Sequence, residues 1–231
     1  MPRPVVTLIG TPISHFVQTV ILTCEEKGIG YQLRVEGHDT PAALQSLTHR
    51  KIHPFGKIPA LECDGGVLFE TSAICRYLDR LQPDPVLVPQ TPFSAARMEQ
   101  WISIVGSYLH RTCISNLVSH YVFPRGPDGG VNRAAVTAST PEVEVSLVHL
   151  SALLEQQPHD WLTGEHLSLA ELFLAPLIWQ LRQTPEGAAL LQPHHSLLSV
   201  CERVTARRSF ATVAALHCRY LPSGHCLVLE C

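Results

Sequence analysis

His53-Pro54-Phe55-Gly56-Lys57-Ile58-Pro59-Ala60-Leu61, then Asp64-Gly65-Gly66, then Phe69-Glu70-Thr71-Ser72-Ala73-Ile74-Cys75-Arg76-Tyr77-Leu78, is the stretch that decides how this chain folds. Ala60–Cys63 and Val67–Glu70 flank Asp64-Gly65-Gly66, so two strands join in a tight hairpin. Ile74, Tyr77, Leu78 and Leu81 then recur at i, i+3, i+4 and i+7, which predicts a helix ending near Leu81. Pro59 has no N–H to give to a ladder and belongs at a strand start. A cis bond before it turns the Ile58 N–H and C=O outward, ready to pair with an extended ligand. Glu70-Thr71 falls at a strand-to-helix junction. There the N–H groups of the helix start and the Thr71 hydroxyl suit a carboxylate, while the Glu70 carboxylate suits an ammonium. Such a junction fits an amino-acid head group.

Working back toward the N-terminus, Val5–Ile9 is a short apolar run that reads as a buried strand, broken by Gly10-Thr11-Pro12. Val17, Val20, Ile21 and Cys24 mark a helix from Ser14 to Lys27, with Ser14 at the N-cap position and Gly28 just past the end. Tyr31–Val35 alternates as a strand does. Strand–helix–strand at this spacing makes a right-handed, parallel βαβ unit. A polar stretch, 37–53, has room for one short helix near 42–48. Residues 1–81 therefore read as an α/β domain, βαβ then ββα, on a mixed sheet.

Residues 82–92 hold prolines 83, 85, 89 and 92 and read as a linker. Beyond them, 93–231 reads as an all-α helical-bundle domain. Trp101, Ile104, Val105 and Tyr108 mark a long helix over 94–122, and Val143, Leu147, Leu150 and Leu154 mark another. Ser168-Leu169-Ala170-Glu171 is a capping box, so Ser168 and Glu171 are structural. The helix it starts is apolar on all sides and should be central, kinked at Pro176. Leu197, Val200, Cys201 and Val204 mark the last helix, and the tail 218–231 has no readable pattern.

Composition narrows the functional classes. Seventeen Lys+Arg against 20 Asp+Glu give a net charge of −3, with no basic patch for nucleic acid. No run of about 20 apolar residues spans a membrane. Val5–Ile9 is too short for a signal-peptide core, so a cytoplasmic address is expected. The eight cysteines lack C-x-x-C or zinc-finger spacing; they read as reduced thiols, and no metal site is expected. Charged residues are only 16%, against about 25% in ordinary domains, which points to a large buried fraction or a covered face.

At the Lys57-Ile58-Pro59 and Glu70-Thr71-Ser72 motifs the sequence resembles the glutathione S-transferase superfamily. The resemblance extends to 10–17, Glu26–Tyr31, Leu162–Glu171 and Arg207–Phe210. It implies a thioredoxin-like domain followed by a helical one, a homodimer, and glutathione as co-substrate. It is most similar to the serine-type, phi-like branch, with Ser14 in the serine slot and Gly37-His38 followed by Pro41.

Carried over residue by residue, the resemblance makes Ser14 the catalytic hydroxyl. His38 and Lys57 hold the glycine carboxylate of glutathione, Ile58 before cis-Pro59 pairs with its cysteinyl backbone, and Glu70 and Thr71 hold the γ-glutamyl end. The implied reaction is thiolate attack on a small hydrophobic electrophile, with hydroperoxide reduction as a further use. A β-etherase-like or dehalogenase-like enzyme and a non-catalytic ligand-binding or assembly module share the fold.

On the residues alone alternatives stay open. Ser14 is also an ordinary helix N-cap, Thr11 is a second hydroxyl, and His38 and Lys57 are also solvated surface groups. His15 stands where related sequences often carry proline, and Glu171 where they often carry aspartate.

Overall fold

The computed structural model describes residues 5–36, 41–156 and 159–221. Two compact units emerge: Met1–Val88 with Arg208–Tyr220, and Pro89–Arg207 with Leu221–Cys231. His38 and the tail from 222 lie outside the described residues.

In the first unit β1 (Val5–Ile9), α1 (His15–Lys27) and β2 (Gly30–Arg34) make the parallel crossover. A 3₁₀ turn (Pro41–Gln45) and α2 (Leu47–Arg50) lead to β3 (Ala60–Cys63), β4 (Gly66–Phe69) and α3 (Thr71–Leu81). The sheet order is β2-β1-β3-β4, with β1–β3 and β3–β4 antiparallel, so the sheet is mixed. The apolar stripe of α1 (Val17, Val20, Ile21, Cys24) is fully buried, as are Leu8, Ile9, Leu61, Ile74 and Leu78. α1 stops where Gly28 takes φ 62, and the Ile29 N–H closes on the Cys24 carbonyl at 2.9 Å.

The segment after α3 is stapled to this unit by a buried cation. Lys27 Nζ donates to Asp79 Oδ1 at 2.6 Å and to the carbonyls of Pro83 and Pro85, while the Leu87 N–H donates to the same Asp79 oxygen at 3.0 Å. A lysine buried to this degree persists only because charge and donors are all matched.

The second unit comprises α4 (Pro92–Ile104), a π-helix (Val105–Val118), α5 (Ser119–Val122), α6 (Arg133–Glu155), α7 (Leu169–Arg182), α8 (Pro185–Leu191) and α9 (His195–Thr205). α7 is its axis. Twelve of its 14 residues are buried, and it packs on α4, the π-helix, α8 and α9. The capping box forms as the sequence predicts. Glu171 accepts from the Ser168 N–H at 2.8 Å, the Ser168 hydroxyl at 2.6 Å and the Leu162 N–H.

The structure differs from the sequence reading in four places. The helix expected over 94–122 is α4, a 14-residue π-helix and α5, a change of hydrogen-bond step that side-chain periodicity does not reveal. α8 is too short to show a period. The final helix, α10 (Arg208–Tyr220), has buried positions that include Ser209 and His217, so its apolar pattern is thin. It also clusters with the first unit, although the sequence placed it in the helical domain. Finally, Cys24, Cys63, Cys75, Cys113 and Cys201 are free thiols but Cys218 is disulfide-bonded, against the expectation that all are reduced.

Candidate functional site

One row of residues crosses the sheet: Arg34, Ile9, Ala60 and Phe69 are successive partners on β2, β1, β3 and β4. Because β3 runs against its neighbours, the residues just past this row come from one end of the sheet. After Ile9 come Gly10 to Ser14; before Ala60 come Ile58 and Pro59; after Phe69 come Glu70 and Thr71. Three segments that sequence separates are thus brought together by strand register alone.

The approach is close. Gly10 has φ 149, and a Cβ there would lie 2.6 Å from Val17 Cγ2 and 3.2 Å from Ile58 Cβ, so only glycine lets the Ser14 loop lie against Ile58. The Ile58–Pro59 bond is cis; Pro59 is buried and Ile58 half-buried. Lys57 is exposed.

Ser14 is the N-cap of α1, with φ −77 and ψ 123, yet its side chain makes no capping hydrogen bond. Its backbone is held instead: its N–H donates to the Thr11 carbonyl at 3.0 Å and its carbonyl accepts from Gln18 at 2.9 Å. The half-buried hydroxyl therefore stands at the positive end of a 13-residue helix, not spent on the cap. The Thr11 hydroxyl is buried and without a hydrogen-bond partner. His15 is buried, its ring centroid 4.0 Å from that of Phe16.

Glu70 has φ 70, the one positive-φ non-glycine among the described residues. Such a backbone costs about 1–3 kcal/mol and persists only where the surrounding structure over-determines it. It turns an exposed carboxylate out of β4 while its carbonyl accepts the Ile74 N–H at 3.0 Å, opening α3 with Thr71 buried at its first turn. Next to it His53 is buried, its ring 4.9 Å from that of Phe69. Burial pushes the His53 imidazole below its ordinary value, against the smaller opposite pull of the Glu70 carboxylate.

The sequence reading missed the groups behind Ser14. Gln18 Nε2 donates to the Pro12 carbonyl at 2.7 Å and lies 2.8 Å from His217 Nδ1. An amide N–H donates, so His217 Nδ1 accepts and its ring proton sits on Nε2. Gln18 lies four residues past Ser14, a position where support was readable, but its partner on α10 carries no sequence signal.

The glutathione S-transferase N-terminal domain family matches residues 13–81, and the C-terminal domain family matches residues 133–204. Glutathione S-transferase 4 of Zea mays is 30% identical over 203 residues, covering 85% of this chain and 86% of its own. Glutathione S-transferase 3 of the same plant is 28% identical over 222 residues, covering 90% and 93%. The solved structure of maize glutathione S-transferase I in complex with an atrazine glutathione conjugate superposes with a TM-score of 0.79 at 25% identity, covering 95% of this chain and 99% of that one. With the sheet-end site, both domain matches and relatives of this coverage in hand, the chain belongs to the glutathione S-transferase family.

Proposed function

We propose that this chain is a phi-like, serine-type glutathione transferase that ionises glutathione at Ser14 and conjugates it to small hydrophobic electrophiles. The observation that carries this is the Ser14 hydroxyl, half-buried at the start of α1 and uncommitted to the helix cap. The thiol of glutathione titrates near the cysteine value, about 8.5, so little thiolate exists at neutral pH. Lowering that value by about two units takes about 2.7 kcal/mol. A hydrogen bond from Ser14 to the sulfur supplies about 1.5–3 kcal/mol and the helix end up to about 2 kcal/mol, so the two together suffice. Ser14 acts as a donor, not as a covalent nucleophile.

In this reading Glu70 and Thr71 take the γ-glutamyl end, the Ile58 backbone pairs with the cysteinyl unit, and Lys57 with His38 takes the glycine carboxylate. The positive-φ backbone of Glu70 supports it. Thr11 is set aside as the catalytic hydroxyl because it is buried. The protein works as a cytoplasmic homodimer in detoxification. Phe55 and Leu47, 67% and 83% exposed, are apolar groups that a dimer partner would cover.

The test is titration calorimetry with glutathione, followed by turnover on a panel of electrophiles and hydroperoxides. Binding with conjugation supports the transferase. Binding without turnover on any member leaves a ligand-binding module of this fold, and absence of binding overturns the glutathione site.

A further inference from the structure

His49 lies in α2, and its ring is 2% exposed. Nδ1 is 2.7 Å from Glu36 Oε2, and Nε2 is 2.8 Å from the backbone carbonyl oxygen of Lys57. A carbonyl only accepts, and so does an ionised carboxylate. The Lys57 bond therefore fixes a proton on Nε2. The Glu36 bond needs a second proton, carried on Nδ1 as imidazolium or on Glu36 as the acid. Either way the ring is locked between two fixed partners.

Glu36 is itself anchored to the sheet. Arg34 Nε donates to Glu36 Oε1 at 3.1 Å. The two terminal guanidinium nitrogens of Arg34 grip both oxygens of Glu62 on β3, at 3.1 and 3.0 Å. A continuous chain of bonds thus runs Glu62, Arg34, Glu36, His49, Lys57 carbonyl. It ends on the residue immediately before Ile58 and the cis bond. Both ends of α2 are tied as well: Ser46 caps the His49 N–H at 3.1 Å, and the His49 carbonyl accepts from the N–H groups of Ile52 and His53.

We propose that His49 is a positioning residue for glutathione. Held from the sheet by Glu36, it fixes the Lys57 carbonyl and so the presentation of the Ile58 backbone edge that pairs with the cysteinyl unit. This rests on the glutathione reading above. His49 touches no reacting atom. Its contribution is to affinity, because an edge fixed in advance loses less entropy on binding.

The test uses the full chain and glutathione itself, with calorimetric Kd and steady-state KM and kcat measured side by side. His49→Ala should raise Kd and KM by about 10-fold, with kcat at saturating glutathione changed by less than about 3-fold. Glu36→Gln keeps a partner for Nδ1 and should stay within about 3-fold of wild type, while Glu36→Ala should move Kd in the same direction as His49→Ala. His49→Gln keeps one donor for the Lys57 carbonyl and should fall between wild type and alanine; it carries the test if His49→Ala does not fold, as judged by circular dichroism. An unchanged Kd in a folded His49 variant, or a loss confined to kcat, overturns the proposal. If wild type itself fails to bind glutathione, the glutathione reading falls first, and that result is distinct from a wild type that binds and a His49 variant that binds equally well.

Discussion

Gln18 on α1 and His217 on α10, 199 residues apart in sequence, meet at 2.8 Å inside the first unit. The same Gln18 nitrogen holds the Pro12 carbonyl, two residues before Ser14. Replacing His217 with alanine leaves one amide proton of Gln18 buried without its acceptor, which costs about 1–3 kcal/mol. The variant should unfold at lower urea. Its kcat should fall by about 3- to 10-fold through a looser Ser14 loop, while KM for glutathione moves less. Equal kcat in a destabilised variant would show that the contact serves stability alone.

Ser14→Ala should lower turnover by about 100-fold, the loss of a charge-assisted hydrogen bond to the thiolate. Glutathione affinity should stay within about 3-fold, since Ser14 does not hold the peptide backbone. The thiol of bound glutathione should titrate higher than in wild type, by about one to two units, read from thiolate absorbance against pH. Unchanged turnover would falsify the role given to Ser14.

His53 gives a pH prediction. Burial, more than its neighbours, lowers its folded value below 6.5. The unfolded chain therefore takes up this proton at a higher pH than the folded one. The stability that His53 contributes is present above its unfolded value and is lost as pH falls through the lowered folded value. Denaturant unfolding at about pH 7.5 and about pH 5.5 should show wild type losing more stability on acidification than His53→Asn. Equal losses would place the acid sensitivity elsewhere.

Glu171 is fully buried and accepts from Leu162 N–H, Ser168 N–H and the Ser168 hydroxyl. Glu171→Ala orphans these donors and should destabilise by about 3–5 kcal/mol, read from the urea midpoint. Glu171→Asp, which keeps the acceptor on a shorter arm, should lose less.

Burial pushes the Cys75 thiol up to about 12 and that of Cys113 up to about 11, and raises Cys24 and Cys201 as well. At about pH 8 all four stay protonated and unreactive in the native chain. Among the described free cysteines, half-buried Cys63 should be alkylated first, and peptide mass spectrometry after brief iodoacetamide treatment checks the order.

Much of the first unit was legible because its signals are local. Val5–Ile9, the Asp64-Gly65-Gly66 turn and the 71–81 stripe each announce themselves within a dozen residues, and they set the sheet. The capping box at Ser168 was equally plain. The π-helix was not, since Val105, Leu109, Cys113 and Leu117 satisfy an α-helical stripe as well. α10 was hidden because a histidine occupies a core position, and its ties to α1, His217 with Gln18 and Ser209 with Glu26, appear only in the folded chain. Around the candidate site, Pro59 and Glu70-Thr71 carry local signatures in the sequence, whereas His49 meets the Lys57 carbonyl, and Glu36 meets His49, only in the folded chain.

The row Arg34, Ile9, Ala60, Phe69 carries a further consequence. The residues that build the site hang directly from its ends, so they have no independent scaffold. A slip of one residue in any of these strands would turn its side chains to the opposite face and carry Gly10, Ile58 or Glu70 out of reach of the others. Ligand competence and correct strand pairing are therefore a single event in this unit. On the proposed reading, in which glutathione binds at these residues, the ligand would bind only the properly registered sheet and so select against every misaligned one.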